Sequence, residues 1–311
     1  QQPLQMISTD ELGVVEYMSD APSRYIEFCK SVFPNSLSLG GLKIVIDCAN
    51  GATFDVAPKV FNELGAENTI LSSHPNGKNI NVKCGATDVK ALQQCVVDQG
   101  ADLGLAFDGD GDRLIMVDHQ GEVVDGDQIL CILAKDLNTG VHSKSGVVGT
   151  LMSNLGLEQA MNKAGIDFVR ANVGDRYVLE QLQAHDWVLG GESSGHIVNL
   201  DYTSTGDGII SALQVLRIMQ MSGLSLFELK QQMTKQPQVM INVPVFGLVN
   251  VEDYPDLIDK IKQAEADLGA RGRILVRPSG TEPCVRVMVE GEDEAEIRQV
   301  ASALAKSVEA V

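Results

Sequence analysis

The 311-residue chain is 44% hydrophobic and 21% charged, an ordinary soluble globular composition with room for two or three domains. Its formal net charge of −18 argues against nucleic acid or anionic membrane surfaces as partners, so an anionic substrate would have to be met by locally placed arginines. No apolar stretch approaches the ~20 residues of a membrane span, no signal-peptide pattern opens the sequence, and six scattered cysteines form no C-x-x-C pair, so reduced thiols in a cytoplasmic protein are expected.

In chain order, Arg24–Phe33 is predicted helical and Leu42–Asp47 (LKIVID) a buried strand. Asn50–Thr53 leads into an amphipathic helix reaching about Gly65, then a strand at Thr69–Leu71. Val89–Val97 is a predicted helix, and Ala101–Phe107 a strand that stops abruptly at a loop. The plan then recurs, with a helix at Asp125–Leu137, a strand at Val147–Leu151, a helix at Leu155–Ala164 and a strand at Phe168–Val173. Residues 43–71 and 147–173 therefore read as two copies of one strand–helix–Gly–strand unit. Helices at Gly174–Gln183 and Gly208–Met221 flank a strand at Trp187–Gly190. Such alternation predicts a largely parallel α/β layer, with ligands gathered at the carboxyl ends of its strands.

Near Lys235–Gln238 the pattern changes, and Pro237 among polar residues marks a linker. Beyond it, a strand at Val239–Phe246, a helix at Asp253–Leu268, strands at Ile274–Arg277 and Cys284–Glu290, and a helix at Asp293–Val308 make up a small α+β domain. Pro244 inside the first of these strands puts it at a sheet edge. The last helix gathers Ile297, Val300, Ala301, Leu304 and Val308 on one face, with Glu292, Asp293 and Glu294 at its positive end.

The stretch that organises these elements is Gly104–Asp118, GLAFDGDGDRLIMVD. After the buried strand, Asp108, Asp110 and Asp112 alternate with Gly109 and Gly111. Three aspartates this close repel one another unless a cation or proton relieves them, and the glycines let the backbone turn all three toward one point. Oxygen-only ligands with open positions favour Mg2+. Arg113 adds a fixed positive fork suited to phosphate, so the loop is a phosphoryl-transfer site in outline. A calcium EF-hand loop would need Gly and Glu where Arg113 and His119 stand, and it is rejected. An aspartyl-nucleophile phosphatase fits Asp108 and Asp110 but not Asp112. A solvated acidic turn is the remaining alternative.

Three further loops could carry chemistry. GGESSGHI at 190–197 offers Glu192, Ser193, Ser194 and His196, a set suited to sugar hydroxyls or an amine, against the alternative of a solvated turn. VGDRY at 173–177 puts Arg176 where an anion would meet free helix N–H groups, against a plain helix start with Asp175 as first-turn acid. RPSGTEP at 277–283 joins two strands, and there Arg277, Ser279, Gly280 and Thr281 suit a phosphate clamp better than a plain hairpin. Arg286 interrupts the following apolar run and alternates toward the same ligand.

FDGDGDR, GESSGH and RPSGTEP in this order, with DCANGAT at 47–53, PNGKNIN at 75–81 and GTLMSNLGLE at 149–158, resemble the α-D-phosphohexomutase superfamily over nearly all 311 residues, nearest to its branch acting on glucosamine phosphates. The resemblance implies an α/β fold: two similar three-layer domains with mixed sheets, residues 1–119 and 120–235, then a small α+β domain over 236–311. In such enzymes four domains surround a cleft. The aspartate loop carries Mg2+, which assigns Asp108, Asp110 and Asp112 as ligands with Arg113 assisting. The GESSGH loop grips sugar hydroxyls (Glu192, Ser194, His196), VGDRY orients the sugar (Asp175, Arg176), and RPSGTEP holds the non-reacting phosphate (Arg277, Ser279, Gly280, Thr281, Arg286). The implied reaction interconverts glucosamine 6-phosphate and glucosamine 1-phosphate through glucosamine 1,6-bisphosphate, feeding UDP-N-acetylglucosamine synthesis. The implied partner is a phosphosugar, with a homodimer as a further option.

The family's nucleophile is a phosphoserine in an S-x-S-H-N-P type motif, on a first domain well upstream of the aspartate loop. Ser72-Ser73-His74-Pro75-Asn76 has the wrong order and coincides with the PNG-x-NIN segment, so Ser73 is rejected. The chain begins at Gln1 and is expected to correspond to domains two to four without the serine domain, and so to be inactive alone. Alternatives are a mutase of glucose or mannose phosphates, and a non-catalytic phosphosugar-binding protein.

Overall fold

The computed structural model describes residues 13–138, 146–245, 251–279 and 283–309. Its first sheet is built from β1 (Lys43–Asp47), β2 (Glu67–Leu71), β3 (Leu103–Phe107), β4 (Leu114–Asp118) and β5 (Val123–Val124), in the order β2-β1-β3-β4-β5. β1 runs parallel to β2 and β3, whereas β4 returns antiparallel to β3. The aspartate loop is therefore the turn of a hairpin, a feature the sequence pattern does not separate. Every position of β3 and β4 is buried, which removes the period-two alternation that marks a strand.

The second sheet repeats this plan with β6 (Val147–Thr150), β7 (Phe168–Ala171), β8 (Leu189–Gly191) and β9 (Ile197–Asn199), in the order β7-β6-β8-β9. β6 is parallel to β7 and β8, and β9 returns antiparallel to β8. Each sheet is covered on its outer face by one helix, α3 (Lys90–Gln99) on the first and α6 (Asp175–His185) on the second. Their inner faces share one core with α1 (Ala21–Ser31), α2 (Val56–Glu63), α4 (Gly126–Leu137), α5 (Leu155–Ala164), α7 (Gly208–Ser222) and α8 (Leu226–Lys230). α4 starts at a capping box, Asp125 with Gln128, so its entry angle is fixed. Nine residues of α4 and eleven of α7 are buried, as expected for helices clad on both sides. Among the described residues, no helix is long and apolar enough to cross a membrane.

The third unit is an antiparallel sheet of β10 (Gln238–Pro244), β11 (Gly272–Pro278) and β12 (Cys284–Gly291), ordered β10-β12-β11, with α9 (Pro255–Leu268) and α10 (Glu294–Glu309) on one face. Pro244 does lie on an edge strand, where its missing N–H costs no ladder bond. Val243, Val285, Val287, Val289, Ile297 and Leu304 belong to a separate core. The opposite face leans on the second unit. There Arg273 pairs with buried Glu290 at 2.7 Å and donates to the Leu151 carbonyl at 2.9 Å. The Asn154 amide grips the linker on both sides, donating to Gln236 O at 3.0 Å and accepting from Gln236 N–H at 2.9 Å.

Candidate active site

The aspartate loop is held from three directions. Asp108 Oδ1 accepts from the N–H groups of Gly111 at 3.2 Å and Arg113 at 3.1 Å. Gly109 O accepts from Ala52 N–H at 2.8 Å, and a Cβ on Gly51 would lie 2.2 Å from that oxygen, so the DCANGAT turn requires its glycine. Gly111, at φ +83°, presents its carbonyl to Gly208 N–H at 2.9 Å. So braced, Asp108, Asp110 and Asp112 each offer a carboxylate oxygen within 4.8 Å of the others.

The electrostatics of this cluster favour a cation. Burial pushes the Asp108 carboxyl up to about 6 against its bond from the Arg113 amide, and the charges of Asp112 and Asp110 add to the rise. Arg113 Nε stands 3.6 Å from Asp108 Oδ2 and 3.8 Å from Asp112 Oδ1, too far to neutralise either carboxylate fully. Asp112 Oδ1 is buried and makes no hydrogen bond. Three hard oxygens, one orphaned, are a donor set that fits Mg2+.

The GESSGH loop is the β8–β9 turn, the counterpart of the aspartate loop in the second sheet, and the two meet. Leu114 N–H donates to Gly195 O at 3.0 Å, and Arg113 bridges His196 through the backbone. Gly195 has φ +94°, and a Cβ there would fall 2.2 Å from Leu114 O. Buried His196 sets Nε2 3.5 Å from Asp112 Oδ2. Glu192 is half-buried; burial raises its carboxyl pKa, while His196 and Arg113 oppose the rise and the Gly174 amide donates to it. That bond brings the VGDRY turn to the site, with Asp175 close enough to act on Glu192 by charge. Ser194 is exposed. Arg176 extends along its own helix instead, 81% exposed and paired with Glu180 at 2.9 Å.

On the third unit Arg277 and Arg286 are direct cross-strand partners of β11 and β12, and so share a face. Like charges facing one another are unfavourable unless an anion sits between them. Ser279 N–H closes the loop by donating to Cys284 O at 2.8 Å. Gly280 and Thr281 lie outside the described residues. The structure thus gathers Asp108, Asp110, Asp112, Arg113, Glu192, His196 and Asp175 in one cluster and Arg277, Ser279 and Arg286 in another. Sequence reasoning misses Gly206-Asp207-Gly208, the segment backing both hairpin loops: a Cβ on Gly206 would strike the His196 ring at 2.4 Å. Its only sequence signal is a pair of glycines around an aspartate at the head of a helix.

Three domain profiles of the phosphoglucomutase/phosphomannomutase family match in order: alpha/beta/alpha domain II over residues 23–121, alpha/beta/alpha domain III over 125–236 and the C-terminal domain over 240–307. The chain is similar to the phosphoglucosamine mutase of Coxiella burnetii (strain Dugway 5J108-111), 56% identical over 308 residues, and to that of Pseudomonas aeruginosa (strain LESB58), 54% identical over 309. Each match covers 99% of this chain and 69% of the relative. In fold it is similar to the crystal structure of Aspergillus fumigatus N-acetylphosphoglucosamine mutase in complex with GlcNAc-6P and magnesium. That match has a TM-score of 0.76 at 22% identity, over 91% of this chain and 69% of the other. The chain belongs to the phosphoglucomutase/phosphomannomutase family, and the relatives it matches at 54–56% identity are phosphoglucosamine mutases.

Proposed function

We propose that this chain supplies the metal, sugar and phosphate loops of a Mg2+-dependent phosphoglucosamine mutase, interconverting glucosamine 6-phosphate and glucosamine 1-phosphate. The observation that carries the reading is the junction of the two hairpin loops, where His196 reaches to 3.5 Å from Asp112 beside the three-carboxylate cluster. Asp108, Asp110 and Asp112 hold the metal, which when bound supplies charge neutralisation during phosphoryl transfer. Arg113 sets a positive fork beside the phosphoryl group in flight. Glu192, Ser194 and His196 orient the sugar, with Asp175 and Arg176 at its border. Arg277 and Arg286, with the 279–281 loop, fix the phosphate that does not react. One such clamp serves both positions of the sugar, so the substrate turns over within the cleft as glucosamine 1,6-bisphosphate.

The serine that carries the phosphoryl group is not assigned to any residue here. Ser73 follows β2, which β1 separates from β3. These 311 residues alone are therefore expected to bind metal and phosphosugar without turning over. The test is an intact mass before and after incubation with glucosamine 1,6-bisphosphate and Mg2+. An unchanged mass is expected. A gain of one phosphoryl group mapped to Ser73 would put the nucleophile in this chain, and one mapped to Asp108 would favour an aspartyl phosphatase. Binding of glucosamine 6-phosphate more tightly than glucose 6-phosphate separates this reading from a mutase of glucose or mannose phosphates. The reading also puts the reaction in the cytoplasm, upstream of UDP-N-acetylglucosamine.

A further inference from the structure

The aspartate loop carries its own internal bonds, but its outward carbonyl, Gly111 O, depends on a distant partner. Gly111 lies between Asp110 and Asp112, so the direction of that carbonyl sets how the Asp112 carboxylate faces its neighbours. The partner is the Gly208 amide at 2.9 Å, on the first residue of α7. The fit is close, because a Cβ on Gly208 would meet Arg113 O at 2.7 Å. α7 is buried along nearly its whole length and gives the anchor a rigid base.

What fixes the head of α7 is a single carboxylate with two duties. Asp207 Oδ1 caps the helix by accepting from Ile210 N–H at 3.0 Å. Its other oxygen, Oδ2, accepts the Tyr25 hydroxyl at 2.8 Å, from α1 and 182 positions away in sequence. Burial, and then the Asp207 charge, hold the Tyr25 phenol well above its ordinary pKa, so it stays protonated and donates. On the other side of Asp207, Gly206 backs the His196 ring.

We propose that Tyr25 and Asp207 are positioning residues for the cation site, acting through Gly208 N–H and Gly111 O to hold the Asp110–Asp112 segment in register with the GESSGH loop. Neither touches the acidic cluster; they act on it through the backbone of the α7 head. The inference rests on the reading of Asp108, Asp110 and Asp112 as cation ligands.

The test uses the full chain with Tyr25→Phe, which removes one hydroxyl and keeps the ring. Ile26→Val is the control, a change on the same helix at a buried core residue. Two quantities are read: the Kd for Mn2+ alone, and the exchange rate of the Gly208 amide without metal. Tyr25→Phe is expected to raise the Mn2+ Kd about fivefold and to speed Gly208 exchange about fivefold, the order expected when the net contribution of one hydrogen bond is lost. Ile26→Val is expected to lower the melting temperature and leave both quantities unchanged. The inference is overturned if Tyr25→Phe moves neither, or if Ile26→Val moves both as much. Failure of the unaltered chain to bind Mn2+ would strike the cation reading and with it the metal role given to Tyr25. Gly208 exchange would then still report whether Tyr25 holds the loop, and an unchanged rate would dispose of the brace as well.

Discussion

The turns after β3 and β8 occupy the same place in two sheets whose first four strands share one order, yet they have diverged in opposite chemical directions. One packs three carboxylates and an arginine into six residues; the other offers one carboxylate, two hydroxyls and an imidazole. What they keep in common is backbone: both are antiparallel returns from a parallel strand, and both lean on the head of a buried helix. The aspartate turn rests on α7 through Gly208, and the GESSGH turn on α4, where Gly126 N–H donates to Ser193 O at 3.1 Å. The repeated scaffold fixes where a loop sits, and the side chains then differ, carboxylates and an arginine in one copy, hydroxyls and an imidazole in the other.

The sharpest way to break this pairing is to part the two backbones. Gly195→Ala would force a Cβ to 2.2 Å from Leu114 O at φ +94°, whereas Gly165→Ala, at φ +69°, meets open space. Urea denaturation should show a loss of about 3 kcal/mol or more for the first and about 1 kcal/mol for the second. Equal losses would mean the loops do not depend on their contact.

Next, the division of labour can be read by calorimetric titration. Asp110→Asn should weaken Mg2+ binding about tenfold or more without lowering the melting temperature, because it removes a ligand charge and relieves repulsion. Ser194→Ala should leave Mg2+ binding as it was. A hydroxyl substitution that weakened the metal would erase the distinction.

A smaller effect separates the aspartate turn from the polar junction beneath the third sheet. Asp108 rises to about 6, and buried Asp127, which accepts from Asn154 N–H at 2.8 Å, rises to about 7, in each case chiefly by burial. Between the unfolded carboxylate value of about 4 and these values, the folded chain keeps protons that the unfolded chain has released. The stability from both groups is thus fully present below about pH 4 and is lost as the pH rises through 6 and 7. Saturating Mg2+ should flatten the Asp108 part alone, and Asp127→Asn should remove the other. Smallest of all, Arg176→Ala removes only an exposed pair with Glu180 and should leave the melting temperature unchanged.

These contrasts also mark what the sequence could disclose. The D-x-D-x-D alternation is local, so the convergence of the three aspartates was legible, as was the outward step of Arg286 from an apolar run. The return strands were not. β4 is buried at every position and so carries no alternation, and β9 is only three residues long. The contact of Gly111 with Gly208 joins residues far apart in sequence, and the i, i+4 pairing of Arg176 with Glu180 was not read beside the anion-facing role expected of Arg176. Patterns of period two or four report neighbours along a chain; they are silent on which loops face one another.

The core shared by the first two sheets has a further consequence for how this molecule melts. The profile boundary falls between residues 121 and 125, but buried side chains from β1 through α8 form a single cluster across it, while the third sheet closes on its own. On this packing, three domains by sequence are expected to melt as two cooperative units, one of which draws its interior from both copies of the repeat. Cutting the chain at the 121–125 boundary would leave neither half with a complete inner face.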